Sequence, residues 1–262
     1  MEGNPFTQFV FQVFIFCAVL IIGYTCNFYY LAFLSSRRKD ENSVSEIGEP
    51  SITIQLPIYN EKYVATRLVD AVCAQDYPKE KMRIMVLDDS DDDTVSMMHK
   101  TVLKYQSQGF DILHVRRGTR EGYKAGALKH AMKSTTSDFV AIFDADFIPP
   151  EWYLKKAMPH FTNSKIGLVQ CRWGHVNQDY SALTQAQALN LDFHFLVEQK
   201  AKSNSHLFMN FNGTAGIWRK ECIDDAGGWH TATLVEDLDL SLIHISEPTR
   251  PRLISYAVFC LK

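Results

Sequence analysis

The stretch "DFVAIFDADF", Asp138 to Phe147, decides how the chain is read. A short run of β-branched, aromatic and small apolar residues leads straight into two carboxylates, Asp144 and Asp146, separated by one alanine. Such a continuous apolar run is what a strand buried on both faces requires. The same ending recurs upstream. "MRIMVL" runs into Asp88 and Asp89, and "SITIQLPIY" delivers Tyr59, Asn60 and Glu61. Helical patterns lie between the strands at Glu61–Ala74, within Thr94–Gln106 and in "GYKAGALKHAMKS", and "FDILHVRR" supplies one more strand. This βαβα order predicts an α/β fold, a mostly parallel sheet with flanking helices on both faces. Ligands of such sheets sit beyond the carboxyl ends of the strands. Carboxylates gathered on one edge repel unless a cation lies among them, and oxygen ligands alone favour a hard ion, Mg²⁺ or Mn²⁺.

At 262 residues and 46% hydrophobic, the chain is long enough to bury a sizeable core. Its net charge of −3 offers no broad basic field for nucleic acid, so no nucleic-acid partner is expected. The six cysteines (17, 26, 73, 171, 222 and 260) show neither CxxC spacing nor clustering. That pattern fits a reduced compartment better than a zinc module or a disulfide framework. "DDSDDDT" at Asp88–Thr94 is no calcium loop, because Thr94 and Lys100 stand where the sixth-position Gly and twelfth-position Glu belong. GxxxxGK[ST], post-strand GxGxxG, HExxH and GxSxG are all missing.

The N-terminus departs from a soluble pattern. No charged residue occurs from Phe6 to Ser36, longer than the ~20 residues a helix needs to cross a bilayer. Residues 6–36 therefore read as a transmembrane helix in a lipid bilayer. Arg37, Arg38 and Lys39 follow it and place the remainder in the cytosol by the positive-inside tendency. The polar "DENSVSEIGEP" makes residues 37–50 a cytosolic linker, and the globular part begins near Ser51.

Eight motifs carry a resemblance: "PIYNE" (57–61), "VLDDSDDDT" (86–94), "GYKAGALKHAM" (122–132), "FDADF" (143–147), "VQCRWGHVN" (169–177), "FNGTAGIWR" (211–219), "AGGWH" (226–230) and "LVEDLDLS" (234–241). In this order and spacing they resemble the processive-type family 2 glycosyltransferases, the group of the cellulose synthases and the cellulose synthase-like glucan and mannan synthases. The resemblance covers residues 51–241. It implies a nucleotide-sugar-binding, GT-A-like fold, and inverting, metal-dependent transfer of a hexose from a UDP-glucose- or GDP-mannose-class donor to a growing β-glycan.

By the same resemblance, Asp146 binds the metal, with Asp144 on the same ion or the ribose. Asp88 and Asp89 mark the nucleoside pocket with Pro57, Tyr59 packs on the base, Glu61 lies near the ribose and Lys124 meets the nucleotide. Asp237, paired with Glu236, accepts the proton of the attacking hydroxyl; "VED" departs from the family's TED-like pattern at Val235. Gly213 and Thr214 line the acceptor side. Trp229 and Trp173 offer it flat apolar faces, with a core position the alternative for either ring. A single transfer to a lipid acceptor, ceramide or polyprenyl phosphate, and a non-catalytic nucleotide-binding role are the competing readings.

After Ser241 the family pattern breaks: "LIHISEPTRPRLISYAVFCLK" holds no QxxRW, since Trp229 is the last tryptophan. Residues 242–262 read as an assembly artefact resembling a translated library adapter, fused to a truncated catalytic domain. A chain of this kind is expected to bind nucleotide at best and to turn over poorly.

Overall fold

The computed structural model describes residues 4–37, 48–205, 207–233, 235–246 and 253–261. Arg38 and Lys39, most of the linker and residues 247–252 of the anomalous tail lie outside the described residues. Seven strands form one sheet: β1 (Ile52–Ile58), β2 (Met82–Asp88), β3 (Asp111–Val115), β4 (Phe139–Ile142), β5 (Ile166–Trp173), β6 (Gly216–Arg219) and β7 (Leu253–Leu261). Their order is β3-β2-β1-β4-β6-β5-β7. β3, β2, β1 and β4 are mutually parallel, β6 is antiparallel to both its neighbours, and β7 pairs parallel with β5. The sheet is thus mostly parallel, with one reversed strand.

Nine helices connect the strands among the described residues: α1 (Pro5–Ser36), α2 (Ala65–Cys73), α3 (Thr94–Gln106), α4 (Tyr123–Met132), α5 (Tyr153–Ala157), α6 (Ala182–Phe193), α7 (Lys200–Asn204), α8 (Lys220–Asp225) and α9 (Glu236–Ser246). Phe139, Ala141 and Phe143 pack on one side of the sheet with Leu68 and Val72 of α2 and Met98 of α3. Val140 and Ile142 pack on the other with Leu128 of α4 and Ile223 of α8. Burial on both faces is why β4 reads as an unbroken apolar run, each such side chain contributing about 1.5–3 kcal/mol.

Two local features aim the chain at its active edge. The Ile58 carbonyl accepts from Asp89 N at 3.1 Å and the Gln55 carbonyl from Phe143 N at 3.3 Å. Pro57, half-buried, therefore faces β4 where that strand's ladder has already ended at Ile142, so its missing N–H disrupts nothing. Asn60 then adopts φ 56°, turning the chain sharply. As a result α2 begins at Ala65 rather than at Glu61, and Glu61 stays exposed at the sheet edge with its carbonyl accepting Ala65 N at 2.9 Å.

α1 is 32 residues long, about 48 Å at 1.5 Å per residue, and is apolar enough to span a membrane. Its last turns are docked: Leu31 and Leu34 pack on Ala201 and Val197, and the Phe28 and Phe193 rings lie 5.1 Å apart. Asn204 Nδ2 donates to the Arg37 carbonyl at 3.0 Å. A π-helical turn, His194–Gln199, joins α6 to α7. It buries Phe195 against Trp173 at 5.3 Å.

Candidate active site

The carboxyl ends of β1, β2 and β4 and the segment entering β6 meet on one edge of the sheet. There Lys124 Nζ lies 2.5 Å from Asp144 Oδ1 and donates to the Gly213 carbonyl at 2.9 Å. Gly213 has φ +79°, and a methyl group on it would sit 3.0 Å from Asp237 Oδ2 and 3.6 Å from Lys124 Nζ. At this glycine a lysine from α4, an aspartate just beyond β4 and an aspartate from the first turn of α9 come together. Glu236 is the first residue of α9, half-buried next to Asp237. Asp237 is fixed by Leu238 N donating to its Oδ1 at 2.8 Å.

The charges press on one another. Burial pushes the Asp144 carboxyl above the usual range; Lys124 opposes this, while Asp146 and Asp237 add to it. Burial likewise raises Glu61, helped by Asp146 and Asp144. Four carboxylates, Glu61, Asp144, Asp146 and Asp237, therefore share a single field with one ammonium. Among the described residues no three His, Cys, Asp or Glu groups close on one point as a ready ligand set. Asp146 is exposed and Asp144 half-buried. Two oxygen donors with mutual repulsion and open surroundings suit a hard divalent ion that takes its other ligands from water or substrate phosphates.

Three non-glycine residues with positive φ flank this edge: Asn60 (56°) beside Tyr59, Tyr123 (46°) beside Lys124 and Ala215 (54°) beside Thr214. Backbone strain of this kind, about 1–3 kcal/mol each, persists only where the surroundings enforce it.

The other expected site residues have these surroundings. Asp88 is fully buried. Its Oδ1 accepts from Ser90 N at 2.9 Å and its Oδ2 lies 2.7 Å from His114 Nε2, which shapes the β2 terminus. Burial would raise its carboxyl, but the hydrogen bonds from His114 and Ser90 outweigh this and hold it low. Asp89 is engaged as well, paired with Arg117 through Nε at 3.0 Å and through Nη2. Thr214 is buried and its Oγ1 accepts from Asp144 N at 2.9 Å, which supports Asp144. Trp229 is fully buried beside Phe211 and Trp218 and belongs to the core, because three large rings fill that face of the sheet together. Trp173 is half-buried between Phe147 and Phe195 at the end of β5. Tyr59 is exposed, with the Arg120 guanidinium 3.3 Å from its ring centroid covering one face.

A family model described as glycosyltransferase like family 2 matches residues 50–244, well over half of the chain. The chain belongs to that family. This family 2 chain is 42% identical over 209 residues to glucomannan 4-beta-mannosyltransferase 9 of Arabidopsis thaliana, covering 78% of the chain and 39% of the relative. It is 44% identical over 198 residues to probable glucomannan 4-beta-mannosyltransferase 11 of Oryza sativa subsp. japonica, covering 74% and 35%. The chain thus spans under two fifths of the length of these curated relatives.

Among solved structures, a mannosyltransferase from Pyrobaculum calidifontis, crystallised with GDP-Man and Mn²⁺, superposes with a TM-score of 0.71 at 21% identity, over 90% of the chain and 63% of its own. S. aureus TarS in complex with UDP gives 0.56 at 17% identity, over 81% and 61%. Both show the fold, which is that of the family 2 glycosyltransferases. Arg117, Arg120 and His114 went unnoticed in the sequence; the one signal available was the cation run in "HVRRGTRE", which names no partner.

Proposed function

We propose that the chain carries the donor-binding part of an inverting hexosyltransferase, acting from GDP-mannose onto a growing β-glycan. The observation that carries the proposal is the meeting of Lys124, Asp144, Gly213 and Asp237 on the carboxyl edge of the sheet. The names of the two plant relatives and the GDP-Man in the archaeal structure support mannose over glucose as the sugar.

Inversion needs an acceptor hydroxyl to attack the anomeric carbon from the face opposite the diphosphate. As the new C–O bond forms, the bond to the phosphate oxygen breaks and its electron pair leaves with the diphosphate. The hydroxyl proton goes to Asp237, which Leu238 N orients in the first turn of α9. Asp144 and Asp146 would hold Mg²⁺ or Mn²⁺, which supplies positive charge to the departing diphosphate when bound. Lys124 supplies a second cation from the protein itself. Glu61 and Tyr59 stand at the nucleoside end. On the acceptor side, Trp173 Nε1, His175 Nδ1 and Asn212 Nδ2 are buried without partners among the described residues, polar atoms that a sugar hydroxyl or water would satisfy.

The membrane supports the geometry of supply. α1 is docked to α7 through Asn204 and Arg37, and its apolar side chains, Phe16, Leu20, Ile22 and Phe33 among them, are exposed. We place this face on the bilayer, with the catalytic part on the cytosolic side where Arg37 and the following basic residues favour it. Calorimetric titration of GDP and UDP into the chain, with and without Mn²⁺, tests the reading. Tighter, Mn²⁺-dependent binding of GDP, lost in Asp146→Asn and retained in Asp237→Asn, is expected. Binding indifferent to Mn²⁺ and to Asp146 would overturn it.

A further inference from the structure

A second charged feature lies away from this site. Residues 116–133 carry six Lys or Arg against one acidic residue, Glu121, in a chain whose net charge is −3. Four of the six, Arg116, Arg117, Lys129 and Lys133, line a single cavity of about 470 Å³ together with His130 and Glu121, with Gly126 and Thr231 in its wall. Lys129 follows Lys124 by five positions on α4, and Lys133, nine positions on, caps that helix in helical conformation. At about 100° per residue they turn roughly 140° and 180° away from it, so the cavity opens on the opposite side of α4 from the donor edge.

The cavity is built. Arg116 Nη2 donates to the Ser90 carbonyl at 2.7 Å. Arg117 Nη1 donates to the Glu121 carbonyl at 2.9 Å, Nη2 donates to that of Tyr123 at 3.0 Å, and Asp89 clasps its Nε side. Gly126 makes room for this: a Cβ there would lie 2.5 Å from Arg117 Nη1 and 2.1 Å from the Glu121 carbonyl. Two guanidiniums are therefore held in place before any ligand arrives. Among the described residues, Lys129, His130 and Lys133 have no acidic partner. Two lysines without acidic partners beside a fixed guanidinium pair are the arrangement that phosphate recognition uses.

We propose that this cavity is a binding site for a multiply charged phosphate ester, distinct from the donor site. Arg117 connects it to Asp89 at the end of β2 and to the Tyr123 carbonyl that precedes Lys124, so occupancy is felt at the donor edge. The phosphate comes either from a soluble phosphate compound or from a phosphorylated lipid headgroup.

Lysine acylation read by mass spectrometry tests the site residue by residue, on the full chain reconstituted in phosphatidylcholine vesicles. The probes are inorganic pyrophosphate in solution and phosphatidylinositol 4-phosphate in the vesicles; Lys124 reports separately on the donor site. Lys129 and Lys133 are expected to react several-fold more slowly with a probe present. Protection by pyrophosphate identifies a soluble source, and protection by the lipid alone a headgroup; either supports the site. In Lys133→Glu, an exposed position that folding tolerates, the protection of Lys129 is lost. Unchanged reactivity of Lys129 and Lys133 with both probes, protection reproduced by NaCl at matched ionic strength, or protection of Lys129 that survives Lys133→Glu would overturn it. Loss of Mn²⁺-dependent GDP binding would sink the donor-site reading alone.

Discussion

Removing the imidazole from His114 isolates what a buried charge costs at the head of this sheet. In His114→Leu the Asp88 carboxylate keeps Ser90 N but loses its other partner, while remaining fully buried. Breaking a buried pair in this way destabilises by about 3–5 kcal/mol. The sign can be followed with pH. In the wild type the folded Asp88 is held below its unfolded value, so its contribution is complete above the unfolded value and is lost as pH falls through the folded one. In the variant the folded value lies above the unfolded one. The deficit is then greatest at neutral pH and shrinks as pH falls from about pH 7.5 to about pH 5.5. Urea unfolding in non-ionic detergent, followed by the emission of the buried Trp218 and Trp229, measures it. His114→Gln, which keeps a neutral donor, should lose only about 1 kcal/mol. A His114→Leu deficit below about 1 kcal/mol, or one equal at both pH values, would refute the reasoning.

Gly213→Ala and Gly228→Ala place alanine at nearly the same positive φ, +79° and +80°, and both should lose about 1–2 kcal/mol in thermal unfolding. Only the first brings a methyl to 3.0 Å from Asp237 Oδ2, so only the first should slow sugar transfer, by roughly a hundredfold at unchanged donor KM. Burial and mutual repulsion raise both Glu61 and Asp144, so Mn²⁺ affinity should begin to fall with decreasing pH while ordinary carboxylates are still ionised; a flat Mn²⁺ titration by electron paramagnetic resonance down to about pH 5 would contradict this. Burial pushes the Cys73 and Cys171 thiols up to about 12. Both should resist iodoacetamide at about pH 8 until urea unfolds the chain, as peptide mapping would show.

Which parts of this molecule could be read from its residues follows from how local their causes are. β4 was legible because both its faces are buried, Phe139 and Ala141 on one and Val140 and Ile142 on the other, leaving no polar alternation to confuse. The acids at the ends of β2 and β4 were legible for the complementary reason, since charge is tolerated only where a buried strand runs out. Their partners were not. Whether Asp88 faces a nucleoside or a histidine depends on the register of β2 against β3, where Val86 stands beside His114, and register is a tertiary outcome. Trp229 shows the same limit: a tryptophan after two glycines suits a sugar platform or a core equally well until Phe211 and Trp218 are placed beside it.

The strained residues press this further. Asn60, Tyr123 and Ala215 are ordinary side chains at φ values that local preference disfavours. Each adjoins a residue of the active edge, and each is enforced by contacts from elsewhere in the chain: Asn60 N by Ser90 Oγ at 2.9 Å, the Tyr123 carbonyl by Arg117 at 3.0 Å, and Ala215 N by the Ile142 carbonyl at 2.8 Å. Local rules therefore fail at the places where the fold spends stability to hold Tyr59, Lys124 and Thr214 in position. The same Arg117 that holds Tyr123 also lines the basic cavity behind α4. A ligand there would act on a conformation already under strain, which is the physical reason a phosphate bound on the outer face of α4 could alter what happens at Lys124.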